Sequence, residues 1–312
     1  MNLKPITNTK LFGMNIFFNE IINLYNQKKM PTKILLTGKQ GQGKSTLAYH
    51  IINYILSENE EFNYNTEKKE INENNKSFKL LQNNSHPNFY LVDLKEEKKN
   101  IDINQVREMI SFTNKSSFNN FSKLILIDNV EYLNKNSVNA LLKVIEEPNT
   151  NIFFILIQNS EKYILPTLRS RCLTFKVNLT FNDSIIITNK IIDKNVLDLI
   201  NYNLLNYYNT PGDLISLINF SIENDIDLKE CKIENLLNEL IDNKFYKKNR
   251  IVKKILINFI ELFFLKEYKK TDKKNNLLNF YHKFINKINN SEKYNLDDES
   301  LFLEFKSELL NG

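Results

Sequence analysis

Cysteine is nearly missing from this 312-residue chain: Cys172 and Cys231 stand far apart and are too few for a disulfide framework or a cysteine-only zinc site. Both are read as free thiols. Long apolar runs are missing too. None approaches the roughly twenty residues that span a bilayer, and the opening MNLKPITNTK lacks the apolar centre of a secretory signal, so the expectation is a cytoplasmic protein with no membrane contact. A concentrated excess of one charge is also absent: 42 basic against 37 acidic residues give a net charge of +5, too mild to assign a nucleic-acid partner. With 42% hydrophobic residues the chain has ample material for a core and is long enough for two or three domains. Glycine is scarce as well. Three of the six glycines nevertheless fall within residues 38–43.

Up to about residue 177 the sequence alternates short, nearly continuous apolar runs with helical patterns. Strands are predicted at 33–37, 88–93, 123–128, 151–157 and 173–177, and helices from Ser45 to about Leu56, near 103–112 and at 136–147. That alternation predicts an α/β module, a parallel sheet flanked by helices and buried on both faces. Residues 57–79 are polar without sustained periodicity and read as a surface excursion. Beyond residue 177 the β signal fades into helical spacing, as at Leu214, Leu217, Ile218 and Ile222, which predicts a small helical domain at 178–222 and a second at 223–312.

The clustered glycines belong to LLTGKQGQGKST (35–46), in which Gly38, Gly43, Lys44 and Ser45 satisfy G-x-x-x-x-G-K-[ST] between a strand and a helix. Glycines here, Gly41 included, let backbone N–H groups turn toward phosphates at a helix N-terminus, where Thr46 sits in the first turn. Lys44 is placed to neutralise the β and γ phosphates and Ser45 to hold magnesium. Asp128, closing the strand of LILIDNVE (124–131), is the expected second magnesium contact, through water. ATP or ADP with Mg2+ is the expected ligand. The following Asn129 is neutral and no general base, and Glu131, two residues on, faces a different direction along a strand. The motif therefore predicts binding better than turnover.

Between Asp128 and Cys172 the chain carries NALLKVIEEP (139–148) and, about twenty residues later, LRSRC (168–172). LFG (11–13), SHPNFYLVD (85–93), IDINQVR (101–107) and TPGDL (210–214) follow the same order. In these motifs the sequence resembles the clamp-loader subunits of the bacterial replicative DNA polymerase, DNA polymerase III, the non-motor delta-prime type most of all, over roughly residues 8–220. The resemblance implies an α/β P-loop AAA+ module (1–177), a helical lid (178–222) and an all-α collar (223–312) that joins five subunits in an open ring. It implies motor and delta-type loader subunits as partners, with the sliding clamp and primer-template DNA reached through the assembled complex. It also implies that Arg171, within Ser170-Arg171-Cys172, is an arginine finger offered in trans to a neighbour's ATP.

Motor subunits carry an acidic pair after the third strand, a threonine sensor and a lid arginine; the corresponding positions here are Asp128-Asn129, Asn159 or Gln158, and Gly212. The intact cradle departs from those delta-prime subunits whose cradle has degenerated. Related subunits often have four cysteines in the region matching 57–84, and this chain has none there, so no zinc is expected and Ser45 and Asp128 are the metal positions, for nucleotide-borne magnesium alone. The rival reading is a catalytically active AAA+ ATPase, of motor or DNA-remodelling type; an AAA+ protein outside replication is a third. The lysine-rich stretches 246–255 and 266–274 read as solvated collar faces in preference to contacts with DNA or an acidic partner, and His50, His86 and His282 receive no function.

Overall fold

Two hydrophobic periods build the first part of the chain: alternation in the strands and three- to four-residue spacing in the helices. The fold was obtained as a computed structural model that describes residues 4–95, 98–118, 121–146, 151–206, 208–294 and 296–310. Five strands, β1 (Lys33–Gly38), β2 (Phe89–Val92), β3 (Lys123–Ile127), β4 (Ile152–Asn159) and β5 (Leu173–Lys176), form one sheet in the order β2-β3-β4-β1-β5. Every pairing is parallel, with Leu36 opposite Ile157 and Ile125 opposite Phe154. The predicted α/β module with its five strands is present, each strand within a residue or two of its expected bounds.

Successive strand residues enter opposite cores. Ile34, Leu36, Leu124, Leu126, Ile155 and Ile157 pack toward Phe18 and Ile21 of α1 (Asn15–Asn26) and Leu47 and Ile51 of α2 (Lys44–Leu56). Leu35, Ile125, Ile127, Phe154 and Leu156 pack on the other side, after α3 (Lys76–Gln82), against Val106 and Met109 of α4 (Ile103–Asn114) and Leu141 and Ile145 of α5 (Lys135–Glu146). Burying each such side chain stabilises the fold by about 1.5–3 kcal/mol. Glu147 and Pro148, which end the NALLKVIEEP motif, lie outside the described residues.

Residues 57–79 are more than a surface excursion. Tyr64, Ile71 and Phe78 are buried in the α1/α2 core, and Tyr64 stacks on Phe18 with ring centroids 5.0 Å apart. The N–H of Ile71 bonds the Thr9 carbonyl, and that of Leu11 the Lys69 carbonyl, at 2.8 and 3.1 Å. These apolar residues are seven apart, too sparse to register as a helix or strand period. Polar groups complete the anchorage. Glu60 accepts from the Ser77 hydroxyl at 2.5 Å, and Ser77 Oγ lies 3.2 Å from His86 Nε2. His50 Nδ1 is 2.8 Å from the Tyr64 hydroxyl, and His50 Nε2 is 3.1 Å from the Asn8 carbonyl.

The chain continues through α6 (Pro166–Arg169), α7 (Phe181–Ile192), α8 (Val196–Leu199), α9 (Pro211–Glu223), α10 (Ile233–Asp242), α11 (Phe245–Lys248), α12 (Arg250–Lys270), α13 (Lys274–Tyr294) and α14 (Glu299–Phe305). It divides into two compact units: one runs to Ile187 and includes Thr210–Gly212, and the other holds Thr188–Asn209 with Asp213 onward. The second unit is helical. Phe263, Phe264, Phe284 and Phe305 form its aromatic centre, with Phe264 and Phe280 ring centroids 5.9 Å apart. Among the described residues no helix is long and apolar enough to cross a membrane.

Burial holds both His50 and His86 down to a pKa of about 4, from an ordinary 6.5. The unfolded chain thus binds protons that the folded one refuses, so the stability these histidines contribute is whole above pH 6.5 and is lost as pH falls toward 4. Each adds a slope of up to about 1.4 kcal/mol per pH unit in that window. In urea unfolding at pH 7.5, 6, 5 and 4.5, His86→Gln is expected to lose less stability on acidification than the parent; parallel curves would contradict the burial of a neutral His86.

Candidate functional site

All five strands point their carboxyl ends the same way, and the residues following them gather at one edge of the sheet, the usual ligand edge of open parallel sheets. After β1 the loop turns through Gly41 (φ 85°) and Gly43 (φ 83°), left-handed conformations in which a side chain is strained. Gly43 is the N-cap of α2, whose first intrahelical bond runs from the Leu47 N–H to the Gly43 carbonyl. The N–H groups of Lys44, Ser45 and Thr46 precede that bond and point out of the helix's first turn. Lys44 is buried and donates from Nζ to the carbonyls of Gly38 (2.8 Å) and Lys39 (2.7 Å), curling over the loop. Gln42 in the same loop is buried, with an Oε1 that has no hydrogen-bond partner among the described residues. A Cβ on Gly38 would meet Gln42 Oε1 at 2.5 Å and the Val177 carbonyl at 2.3 Å. Bare glycines, a positive helix end and a buried lysine fit a nucleotide's phosphates.

Ser45 Oγ donates to Asp128 Oδ2 at 2.6 Å, so the two residues assigned to magnesium touch. Burial, then the charge of Asp93, raises the Asp128 pKa to about 6, while the Ser45 bond pulls the other way. A cation there would relieve this strain. Among the described residues no group of three or more His, Cys, Asp or Glu is gathered to hold a metal.

Asn129 takes the left-handed conformation (φ 58°) that asparagine tolerates, and its amide Nδ2 donates to Asp93 Oδ1 at 2.8 Å. Asp93 was missed by the sequence reading. It follows β2 as Asp128 follows β3, and the shared ending of NFYLVD and KLILID was the available signal. Glu131 bends back from a short 3-10 turn (Val130–Tyr132) so that its carboxylate accepts the Asn159 N–H at 3.2 Å. Burial raises its pKa, with backbone N–H bonds, that of Asn159 among them, and then Lys44 opposing. Of the two sensor candidates, Gln158 is buried and accepts from Thr37 Oγ1 at 3.3 Å, while Asn159 Oδ1 accepts from the Glu161 N–H.

Gly212 donates its N–H to the Gly41 carbonyl at 2.9 Å, and its own Cβ would lie 2.6 Å from Gly41 Cα. A Cβ on Gly41 would meet Thr210 Oγ1 at 2.3 Å. Two backbones therefore press together at Gly212, the position expected to match the motor subunits' lid arginine. Arg171 is not part of this assembly. It lies just past α6, bonded to Glu146 and to the Thr167 carbonyl. Cys172 is half-buried with a thiol pushed up to about 11, and both cysteines are free.

The first lysine-rich stretch is occupied internally: Lys247 pairs with Glu299 at 2.5 Å, Lys253 with Asp298 at 2.6 Å and Lys254 with Asp213 at 2.8 Å. In the second, Lys270 pairs with Glu267 and Lys266 donates to the Asn203 carbonyl. The His282 ring lies tilted beside that of Tyr281, with centroids 5.9 Å apart.

The sequence profile of the family described as DNA polymerase III, delta subunit, matches residues 13–180, more than half of the chain. The chain belongs to that family. Within it, the resemblance to the delta-prime subunit holds: the DNA polymerase III subunit delta' of Pseudomonas aeruginosa is 34% identical over 97 residues, covering 31% of this chain and 30% of its own. The gamma subunit of Buchnera aphidicola subsp. Schizaphis graminum is 31% identical over 183 residues, covering 58% of this chain and 48% of its own. The matched segments thus span under half the length of these two relatives. A solved gamma subunit-related protein of Thermotoga maritima is 16% identical, with a TM-score of 0.36, covering 85% of this chain and 76% of that one. The family member described here is thus similar to both the delta' and the gamma subunits of DNA polymerase III.

Because the Gly41–Gly212 approach leaves no room for a methyl group, Gly212→Ala in this family member must push the cradle loop aside. It is expected to lower the unfolding free energy by about 1–3 kcal/mol. Denaturant titration of the purified variant reads this; an unchanged midpoint would mean the two segments do not pack as described.

Proposed function

We propose that this chain is a non-motor, delta-prime-type subunit of a clamp loader. It holds ATP or ADP with Mg2+ in the Gly38–Ser45 cradle without turning it over, and lends Arg171 to the ATP site of a neighbouring subunit. In this reading residues 178–222 are the lid and 223–312 the collar of a cytoplasmic hetero-oligomer. Motor and delta-type subunits are its direct partners, and through the assembled ring it reaches the sliding clamp and primed DNA.

The observation that carries this reading is the end of β3. Asp128 touches the Ser45 hydroxyl, but the next side chain is an amide turned onto Asp93. A general base must accept a proton from water within hydrogen-bond reach, and an amide cannot. Bound nucleotide would supply the charge that draws Lys44 off its two loop carbonyls and the magnesium ion that Ser45 and Asp128 meet. Gly212, pressed on Gly41, supplies no cation to the γ-phosphate. What remains of catalysis is Arg171, whose permanent charge at a neighbour's γ-phosphate is worth about 10³ to 10⁵ in rate.

Two measurements test this. Calorimetric titration of Mg-ATP is expected to show binding to the chain, none to Lys44→Ala, and no phosphate release from either. In a reconstituted loader, Arg171→Ala is expected to lower DNA-stimulated ATPase at least about tenfold, a threshold set well below the roughly 10³-fold a single finger can supply; full activity would refute the trans role.

A second reading, an active ATPase, is favoured by Glu131, whose raised pKa and position beside the Asn159 N–H suit a displaced base. It requires phosphate release by the isolated chain that both Lys44→Ala and Glu131→Gln abolish. Release that survives Glu131→Gln would remove this reading's only base.

A further inference from the structure

We infer that Glu146 is a positioning residue for the arginine finger, holding the Arg171 guanidinium with its phosphate-binding edge facing outward. This rests on the trans role of Arg171 proposed above. One edge of the guanidinium lies against a single carboxylate oxygen: Nε donates to Glu146 Oε1 at 2.9 Å and Nη2 lies 2.6 Å from the same atom. On the opposite side Nη1 donates to the Thr167 carbonyl at 2.9 Å. Nε and Nη1 each spend one N–H on a hydrogen bond and Nη2 sits in ion-pair contact with Glu146, so each terminal nitrogen keeps an N–H for another partner. The remaining two are the parallel end-on fork that matches two oxygens of a phosphate. Among the described residues nothing occupies that fork.

The anchors come from two elements, the last residue of α5 and the middle of α6, so the plane of the guanidinium is fixed relative to the first unit's framework. Glu146 gains nothing from its own helix. A carboxylate at a helix C-terminus faces the negative end of the dipole, and its favourable partner is the arginine. Arg171 keeps about a third of its side chain exposed, as a group that must reach another molecule requires. An exposed ion pair adds little to stability, so its effect is expected in orientation. A free arginine would have to surrender its rotamer freedom on reaching the phosphate; one already held has surrendered it.

The test uses the assembled loader with primed DNA and clamp, measuring kcat and KM for ATP with Arg171→Ala as reference. Glu146→Ala is expected to lower kcat about tenfold, equivalent to about 1.4 kcal/mol, with KM within about twofold of the parent. Glu146→Gln keeps an oxygen at the same reach and is expected to retain at least about half of kcat, while Glu146→Asp keeps the charge but withdraws the oxygen and is expected to fall below Gln. That order separates orientation from charge, and it decides the matter even if the alanine variant fails to assemble. Asp above Gln, or parental kcat in Glu146→Ala beside an impaired Arg171→Ala, overturns the positioning role and leaves the finger intact. A faster Glu146→Ala overturns it too, making the pair a latch that restrains the finger. An unimpaired Arg171→Ala removes the reading on which the inference stands.

Discussion

The parallel register of the sheet is the constraint from which the site follows. With β4 between β1 and β3 and every strand running the same way, the loop after β1 and the carboxylate after β3 emerge at the same edge although they are more than eighty residues apart in sequence. The Ser45–Asp128 bond is the local expression of that register. A one-residue slip in either pairing would turn the strand's side chains to the other face and exchange the two cores. The burial of Leu35 on one side and Ile34 and Leu36 on the other opposes such a slip.

At that edge the chain distributes charge unevenly. Two strand-end carboxylates, Asp93 and Asp128, lie near enough to raise the proton affinity of Asp128, and Asn129 bridges toward Asp93 with a neutral amide. A carboxylate at position 129 in the same rotamer would meet Asp93 as a like charge where the amide donates a hydrogen bond. The amide is therefore part of how this edge is built. Opposite it, Thr210–Gly212 leans on Gly41 so closely that glycine at 212 is a packing requirement.

The helical unit uses its charge differently. Lysines that look like a phosphate-binding face in the sequence pair with Asp213, Asp298 and Glu299 from distant positions of the same unit.

The sequence by itself determined the strands, the helices α2, α4 and α5 beside them, the phosphate loop and the family, because each is written in short-range pattern: apolar alternation, glycine spacing, and motifs a few residues long; α1 and α3 were not read from it. It also named Lys44, Ser45 and Asp128, since a strand followed by G-x-x-x-x-G-K-S and a strand ending in aspartate each carry their own chemistry. Tertiary structure alone decided what depends on pairs far apart in the chain. Asp93 joins the site because β2 lies beside β3. Tyr64, Ile71 and Phe78 enter the core because Phe18 and the segment around His50 are there to receive them, although their own spacing has no period. Gly212 is jammed against Gly41, and Glu146 meets Arg171, through the closure of loops whose ends the sequence does not relate. Local patterns act through the backbone's own periodicity; these contacts act through packing, which exists only once the chain has folded.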